Sequence, residues 1–267
     1  MLAAMSIGVP KPALISFFAT LQDVKYYTKT VYGVSERTFG GLEEGFTQKP
    51  QGTGQGNGAA PQLWAIVSTK MFEMLHKLNL ANVVTMPISG REVHIVGFAY
   101  VDDSDLFAYS QEHDIDYTMK KMQTIIDTWE RAAKVTGGAL APIKCWWYLS
   151  YFEWDSENNW KYGELPKNTH RKLTTIDAND KEAELQYLAS DTAQEMLGVF
   201  IAPDGNNVEQ VKQLKEKASR SSAMIRKSQV YEHEAWIGLT SMAMKSIEYC
   251  LPATALSKRT VTTSCGY

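Results

Sequence analysis

The chain has 267 residues, of which 44% are hydrophobic, and this is enough for one large domain or two smaller ones with a substantial core. Its formal net charge of −3 excludes a positive field over the whole protein, so any nucleic acid would have to bind to a local basic patch. The three widely separated cysteines form neither a disulfide framework nor a zinc-ligand spacing, and no apolar run approaches the length that spans a membrane. We therefore expect an intracellular protein, cytoplasmic or nuclear, without a membrane partner.

The first part of the chain is predicted to alternate between helices and hairpins. In chain order it contains a short helix before Gly8, a helix at about 11–23, a hairpin with strands at 26–34 and 36–40, a helix at 61–78 and an acidic hairpin at 93–109. The segment 48–61 carries four glycines and two prolines, so its backbone can approach a ligand closely.

The second part is predicted to contain a long amphipathic helix, aromatic strands and two final helices. In chain order these are a helix at about 112–135, strands at 144–154 and 160–162 across the turn 155–159, a polar connector at 166–180, a strand at 197–201, and helices at 208–227 and 232–251. Because most strands are joined as hairpins with helices beside them, we predict an α+β fold with an antiparallel sheet and packed helices, followed by a helical region.

Two adjacent carboxylates, Asp102 and Asp103, lie at the tip of the predicted acidic hairpin. Adjacent acids repel each other, so a fold that places them together usually supplies a cation, and hard oxygen ligands suit Mg²⁺ or Mn²⁺. This is the chemistry of phosphoryl transfer to or from a nucleotide. The competing interpretation is a solvated turn, since aspartate is common in turns.

Four motifs in order resemble the palm of a reverse transcriptase, most closely the type carried by retroelements (retrotransposons) of eukaryotic genomes. They are Gln55-Gly56-x-x-x-Pro61 at the mouth of a helix, with Ala60 where the family usually has serine; Tyr100-Val101-Asp102-Asp103; Lys144 after a helix and a Gly-Gly turn; and Leu197-Gly198-Val199, which resembles the Leu-Gly turn of the primer grip. The resemblance covers about residues 10–205.

The resemblance implies an RNA-directed DNA polymerase, which is a nucleotidyltransferase that uses two metal ions, Mg²⁺ or Mn²⁺. Its partners would be an RNA or DNA primer–template and deoxynucleoside triphosphates. It implies a partial fingers or palm-entry segment at 1–50, a palm at 51–205 and a helical thumb or connection at 206–267. The implied roles are metal binding and catalysis for Asp102 and Asp103, catalysis near the triphosphate for Lys144, substrate binding for Gln55, Gly56 and Tyr100, and phosphate-backbone binding for Lys212, Lys215 and Arg220.

One departure from the family concerns the metal site. The family needs a further aspartate on a strand upstream of the Gln-Gly loop, and Asp23 is the only aspartate before Gln55. Asp23 ends a predicted helix and has no apolar strand around it, so we do not accept it as the ligand. We expect a fragment truncated between the first and second palm motifs, inactive or nearly so alone.

Two other functions stay open at this stage. A palm-type nucleotidyl cyclase also joins carboxylates, a hairpin and metals, but it gives no reason for Gln55 and Gly56. A degenerate remnant would hold nucleic acid or protein without catalysis.

Several implied sites also have a structural interpretation. Lys144 and the basic helix at 208–227 are also explained by solvated surface positions, and Tyr100 by packing in the core. We interpret the aromatic cluster at 146–154 as core and sheet packing, with a stacking surface for bases as the alternative.

Overall fold

The computed structural model describes residues 1–40, 58–101, 103–112, 114–163, 165 and 171–254. It combines 44% helix with 22% strand, and its small sheets are mostly antiparallel, which confirms the coarse fold class. The chain divides into two compact units. The first unit contains Met1–Lys144 and Arg171–Leu185, and the second contains Cys145–His170 and Gln186–Tyr267.

The elements of the described residues follow one another along the chain with short connections. The helices are α1 (Leu2–Ser6), α2 (Lys11–Asp23), α3 (Ala60–Lys77), α4 (Ile115–Val135), α5 (Val208–Lys227), α6 (Glu232–Gly238) and α7 (Met244–Glu248), with 3₁₀ turns at Pro142–Lys144 and Leu251–Ala253 and a π-helical turn at Leu239–Ala243. The strands are β1 (Lys25–Thr30), β2 (Gly33–Gly40), β3 (Asn82–Thr85), β4 (Glu92–Ile95), β5 (Gly97–Tyr100), β6 (Asp103–Leu106), β7 (Trp146–Tyr148), β8 (Phe152–Trp154), β9 (Trp160–Tyr162), β10 (Thr174–Ile176), β11 (Glu182–Glu184), β12 (Gln186–Leu188), β13 (Gln194–Met196) and β14 (Val199–Ile201). Across these described ranges, no helix is long and apolar enough to cross a membrane.

The described strands pair two by two. Six pairs are antiparallel (β1–β2, β3–β4, β5–β6, β8–β9, β10–β11 and β13–β14), and β7 pairs with β12 in parallel. A palm requires several strands side by side in one sheet, so the palm architecture stays a prediction.

The core of the first unit lies between α3, α4 and the chain around β5. Its buried members are Met71, Leu75, Val96, Ile125, Trp129 and Ala133. The buried positions of α4 recur at helical spacing, which is why this segment forms an amphipathic helix. Asp114 caps its start by accepting a hydrogen bond from the Tyr117 backbone N–H at 2.9 Å. The helix therefore begins and ends close to its predicted bounds.

The predicted polar connector at 166–180 is wrong where the structure describes it. Its last residues enter a hairpin of β10 and β11, which the side chain of Gln123 on α4 holds in place. Gln123 donates to the Thr174 carbonyl at 2.9 Å and accepts from the Thr174 N–H at 3.0 Å, as a neighbouring strand would. A three-residue strand stabilised by a distant side chain has no periodicity to read in the sequence.

The predicted final helix at 232–251 is interrupted. The backbone changes to π-helical geometry at Leu239–Ala243 and becomes α-helical again in α7. The inward-facing residues here are few: Ala243 and Cys250 are buried, whereas Trp236 is 65% and Met242 73% exposed. The apolar pattern of this segment therefore does not mark one buried face.

Candidate active site

The antiparallel hairpin of β5 and β6 presents a mixed aromatic and acidic face. Its register pairs Tyr100 with Asp103 and Phe98 with Asp105. Because side chains alternate between the faces of a strand and paired residues share a face, these four side chains lie on one side. Leu106, on the other side, packs against the core. The core thus anchors one face of the hairpin and leaves the acidic face outward.

The rings on the acidic face are exposed. Tyr100 is 62% and Phe98 56% exposed, and Asp103 is exposed as well. The core-packing interpretation of Tyr100 is therefore wrong. The phenol ring stands beside an accessible carboxylate, where a ligand can reach both groups.

The turn of this hairpin is strained at Val101. Its φ is +55°, in the left-handed region. A two-residue hairpin turn requires a positive φ at its first central position, which glycine, asparagine or aspartate usually provides. A β-branched residue there costs about 1–3 kcal/mol, and such residues cluster at functional sites. The chain thus maintains a tight tip between Tyr100 and Asp103 with an unfavourable residue.

Asp105 lies half-buried two residues after Asp103. Burial raises the pKa of its carboxyl group, and the nearby negative charge of Asp103 raises it further. Two carboxylates are thus held near each other on one face, and ionisation of Asp105 is disfavoured there. A bound cation would offset both the burial of Asp105 and its repulsion from Asp103.

We expect Asp105→Asn to raise the melting temperature at pH 7 by about 1–2 °C. Because the pKa of Asp105 is higher in the folded chain than in the unfolded chain, ionisation lowers the free energy of unfolding as pH rises above about 4. The advantage of the variant should therefore disappear below pH 4. Thermal melts in metal-free buffer at pH 7 and pH 3.5 measure both effects.

Asp103→Asn is the comparison for this experiment, since it removes only the smaller cause of the shift and should give a smaller gain. If Asp105→Asn melted at a lower temperature than the parent at pH 7, ionised Asp105 would not destabilise the folded chain as we expect.

The base of the hairpin is held by Asn82, a buried residue of β3. Its amide nitrogen donates to the carbonyls of Ile95 at 3.1 Å and Phe107 at 2.7 Å. Its amide oxygen accepts from the Tyr109 N–H at 2.9 Å and from the Lys121 ammonium at 2.8 Å. Burial lowers the pKa of Lys121. One side chain thus joins the end of β4, the segment that follows β6, and α4.

Three of the predicted site residues, Asp102, Gln55 and Gly56, lie outside the described residues. Of the residues that the structure describes, no three His, Cys, Asp or Glu side chains come together in an arrangement that could hold a metal ion. Asp103 and Asp105 supply hard oxygen donors, which fit Mg²⁺ or Mn²⁺ by their chemistry.

Lys144 is exposed and is the last residue of the 3₁₀ turn Pro142–Lys144. It also ends the segment Met1–Lys144 of the first unit. Within the described part of the chain it makes no ion pair with Asp103. Its predicted place beside a triphosphate stays a prediction.

Leu197 and Gly198 belong to the second unit and form a tight turn. We predicted them at the start of a strand, but β14 begins at Val199. Their φ values of +52° and +81° are typical of a two-residue hairpin turn. Tyr249 donates its phenol to the Leu197 carbonyl at 2.8 Å, and the Cys250 thiol donates to the Gly198 carbonyl at 3.4 Å. The Leu-Gly turn is therefore fixed from the final helical segment.

Helix α5 separates its buried and basic positions. Gln210 and Leu214 are buried, whereas Lys212, Lys215 and Arg220 are exposed. At about 100° per residue, these three basic residues lie roughly 100–160° around the helix from Leu214, away from its buried side. We call these three residues the basic stripe of α5. Glu209 forms an ion pair with Lys212 at 3.3 Å, so the charge along this stripe is not purely positive. The helix still presents an excess of basic side chains outward.

The period of two in a strand allows Asp105 to share the face of Asp103, although the sequence alone favours a locally hydrogen-bonded hairpin residue. Sequence reasoning missed Asn82. This residue carried no usable signal, since asparagine is a common turn residue and its four partners are set by the fold.

Comparisons with known proteins identify no relative: no family model matches the chain, and no significant match was found among curated proteins or solved structures. A functional assignment therefore depends on the residues and geometry described above.

Proposed function

We propose that this chain is a reverse-transcriptase-like domain whose β5–β6 hairpin supplies carboxylates for template-directed nucleotidyl transfer. The observation that carries the proposal is the tight hairpin in which exposed Tyr100 pairs with exposed Asp103 across a turn strained at Val101. A Tyr-x-Asp-Asp motif needs its acids at an accessible tip. A buried or helical motif would have argued against this function.

In this proposal Asp102 and Asp103 would hold Mg²⁺ or Mn²⁺, which when bound stabilises charge on the transferring phosphoryl group. Tyr100 would place its exposed ring against the primer end. Lys144 would neutralise charge on the triphosphate, since an ammonium is a suitable partner for phosphate oxygens. The basic stripe of α5 would bind the backbone of the primer–template.

We further propose that this chain alone extends a primer poorly. Asp23, the only aspartate before Gln55, is exposed at the end of α2. The structure thus provides no reason to count it as a metal ligand, and the site would lack one carboxylate.

The test is Mn²⁺ binding, measured by electron paramagnetic resonance of the full chain with and without a deoxynucleoside triphosphate. We expect the double variant Asp102→Asn/Asp103→Asn to bind Mn²⁺ at least ten times more weakly, because the two negative charges of the motif are lost. The control is Glu153→Gln with Glu157→Gln, which removes two negative charges from the second unit. Equal Mn²⁺ affinity of the parent and the tip variant would overturn the proposal.

A product assay separates the two catalytic alternatives. Incubation with primer–template and deoxynucleoside triphosphates should give at most slow extension. Formation of a cyclic nucleotide without template would indicate a nucleotidyl cyclase instead.

A further inference from the structure

The hairpin of β8 and β9, in the second unit, carries four aromatic rings on one face. Its register pairs Phe152 with Tyr162 and Trp154 with Trp160. Since paired residues share a face and alternate residues return to it, all four rings stand on the same side. The centroid of the Phe152 ring lies 5.3 Å from that of Trp160 and 5.2 Å from that of Tyr162. We call this surface the aromatic face.

The aromatic face is open to solvent. Trp154 is 65%, Trp160 55% and Phe152 49% exposed. We interpreted the cluster as core and sheet packing. Its core part is wrong for Phe152 and Trp154, which are exposed, and correct for Trp147, which is buried. Phe152 does pack within its sheet, against Trp160 and Tyr162. Several large rings exposed together indicate a binding surface rather than scattered surface residues.

The reverse side of the same hairpin is polar. Glu153 and Lys161 are paired there, and the ammonium lies 3.2 Å from the carboxylate. Within the hairpin, the rings of Phe152, Trp160 and Tyr162 pack against one another across the two strands. Large parts of Phe152, Trp154 and Trp160 nevertheless stay exposed.

Local hydrogen bonds hold the hairpin in shape. In its turn, the Asp155 carboxylate accepts from the backbone N–H groups of Glu157 at 2.9 Å and Asn159 at 2.8 Å. At its base, the Gly163 N–H donates to the Tyr151 carbonyl at 2.8 Å, and the Tyr162 phenol donates to the Pro203 carbonyl at 3.2 Å. The rings are thus positioned before any ligand arrives, which lowers the entropic cost of binding.

We propose that the aromatic face binds single-stranded nucleic acid by stacking unpaired bases on Trp154, Trp160 and Phe152. Every base has a π-face, so stacking on exposed rings tolerates any sequence. The face consists of aromatic rings and lacks the aliphatic side chains that a groove for an amphipathic helix contains.

Charge supports the same occupant. The second unit also contains α5, with six basic residues, Lys212, Lys215, Lys217, Arg220, Arg226 and Lys227, against two acidic ones, Glu209 and Glu216. One unit thus contains both basic side chains and exposed stacking rings, the two features that proteins use to bind single strands. The inference shares its ligand class with the proposed function, but it involves neither the metal nor the β5–β6 hairpin.

The test is fluorescence anisotropy of a labelled thymidine oligonucleotide titrated with the full chain. We expect Trp154→Ala and Trp160→Ala each to weaken binding about tenfold, as loss of one stacked base predicts. The matched control is Glu153→Gln/Lys161→Gln, which changes the reverse side and should leave the affinity within twofold. The titration is done without divalent metal, so failure of the metal site and failure of this inference are distinguishable.

Two further variants decide whether the rings act by stacking. Trp154→Phe/Trp160→Phe should retain most of the affinity, whereas Trp154→Leu/Trp160→Leu should lose it, because leucine keeps apolar area without a π-face. Equal binding by the leucine variant, equal binding by the alanine variants, or no binding by the parent would each overturn the proposal. Circular dichroism of every variant checks that the fold is retained.

Discussion

Asn82→Leu should lower the free energy of unfolding of the first unit by about 3 kcal/mol, one of the two largest effects that we expect in this protein. Asn82 is 2% exposed and makes four hydrogen bonds, so leucine leaves two carbonyls, one N–H and one ammonium without this partner. An unsatisfied buried group costs about 1–3 kcal/mol, and part of the loss is recovered as water reaches the edge of the site. Urea unfolding followed by circular dichroism gives the value.

Lys121→Met provides the comparison for Asn82. It removes one of the four partners of Asn82, together with a long hydrogen bond from the ammonium to the Ala81 carbonyl at 3.4 Å. We expect a loss of about 1 kcal/mol, which is typical of one hydrogen bond. Because both residues belong to one network, the double variant should lose less than the two single losses combined. An unfolding midpoint of Asn82→Leu equal to that of the parent would show that the network does not stabilise the hairpin base.

We expect Gly97→Ala to lower the free energy of unfolding of the first unit by about 2–3 kcal/mol and to displace the β5–β6 hairpin. A Cβ atom at Gly97 would overlap the backbone oxygen of Asp105 and lie 2.9 Å from Cδ2 of Leu106. Backbone atoms cannot move aside as a flexible side chain does, so β5 and β6 would have to separate. Because Asp105 and Asp103 share β6, the variant should also weaken any metal bound there. Urea unfolding and Mn²⁺ titration measure the two effects.

The control for this substitution is Gly238→Ala. Nothing lies within 4 Å of a Cβ atom built at Gly238, which is in the helical segment of α6. Alanine there should raise stability by about 0.5–1 kcal/mol, because it restricts the unfolded chain. If Gly97→Ala were neutral while Gly238→Ala stabilised the protein, the close approach of the two strands would be disproved.

The sequence was most informative where one period extends over many residues. The helices α2 and α5 begin and end at the predicted residues, because apolar spacing acts within each helix. Strands such as β3 and β10 were missed, since three or four residues are too few to show alternation. Their pairing depends on distant partners, as the hydrogen bonds from Gln123 to Thr174 show.

The candidate site shows the same contrast. The hairpin position of Tyr100 and Asp103 followed from two apolar runs around an acidic pair, and the structure places them at such a tip. The positive φ of Val101 contradicts its local preference, so no propensity rule predicts it. The role of Asn82 arises only when three segments of the chain meet.

The parallel pairing of β7 with β12 determines when the second unit can fold. Trp146 lies beside Gln186, and residues 171–185 between them belong to the first unit. The other strand pairs join neighbouring segments and can close as soon as their turns form, whereas this pair must wait until the whole intervening stretch has left the ribosome. Closing so long a loop is slow. During synthesis, the β8–β9 hairpin and its exposed tryptophans therefore emerge before β12, the strand that pairs with β7.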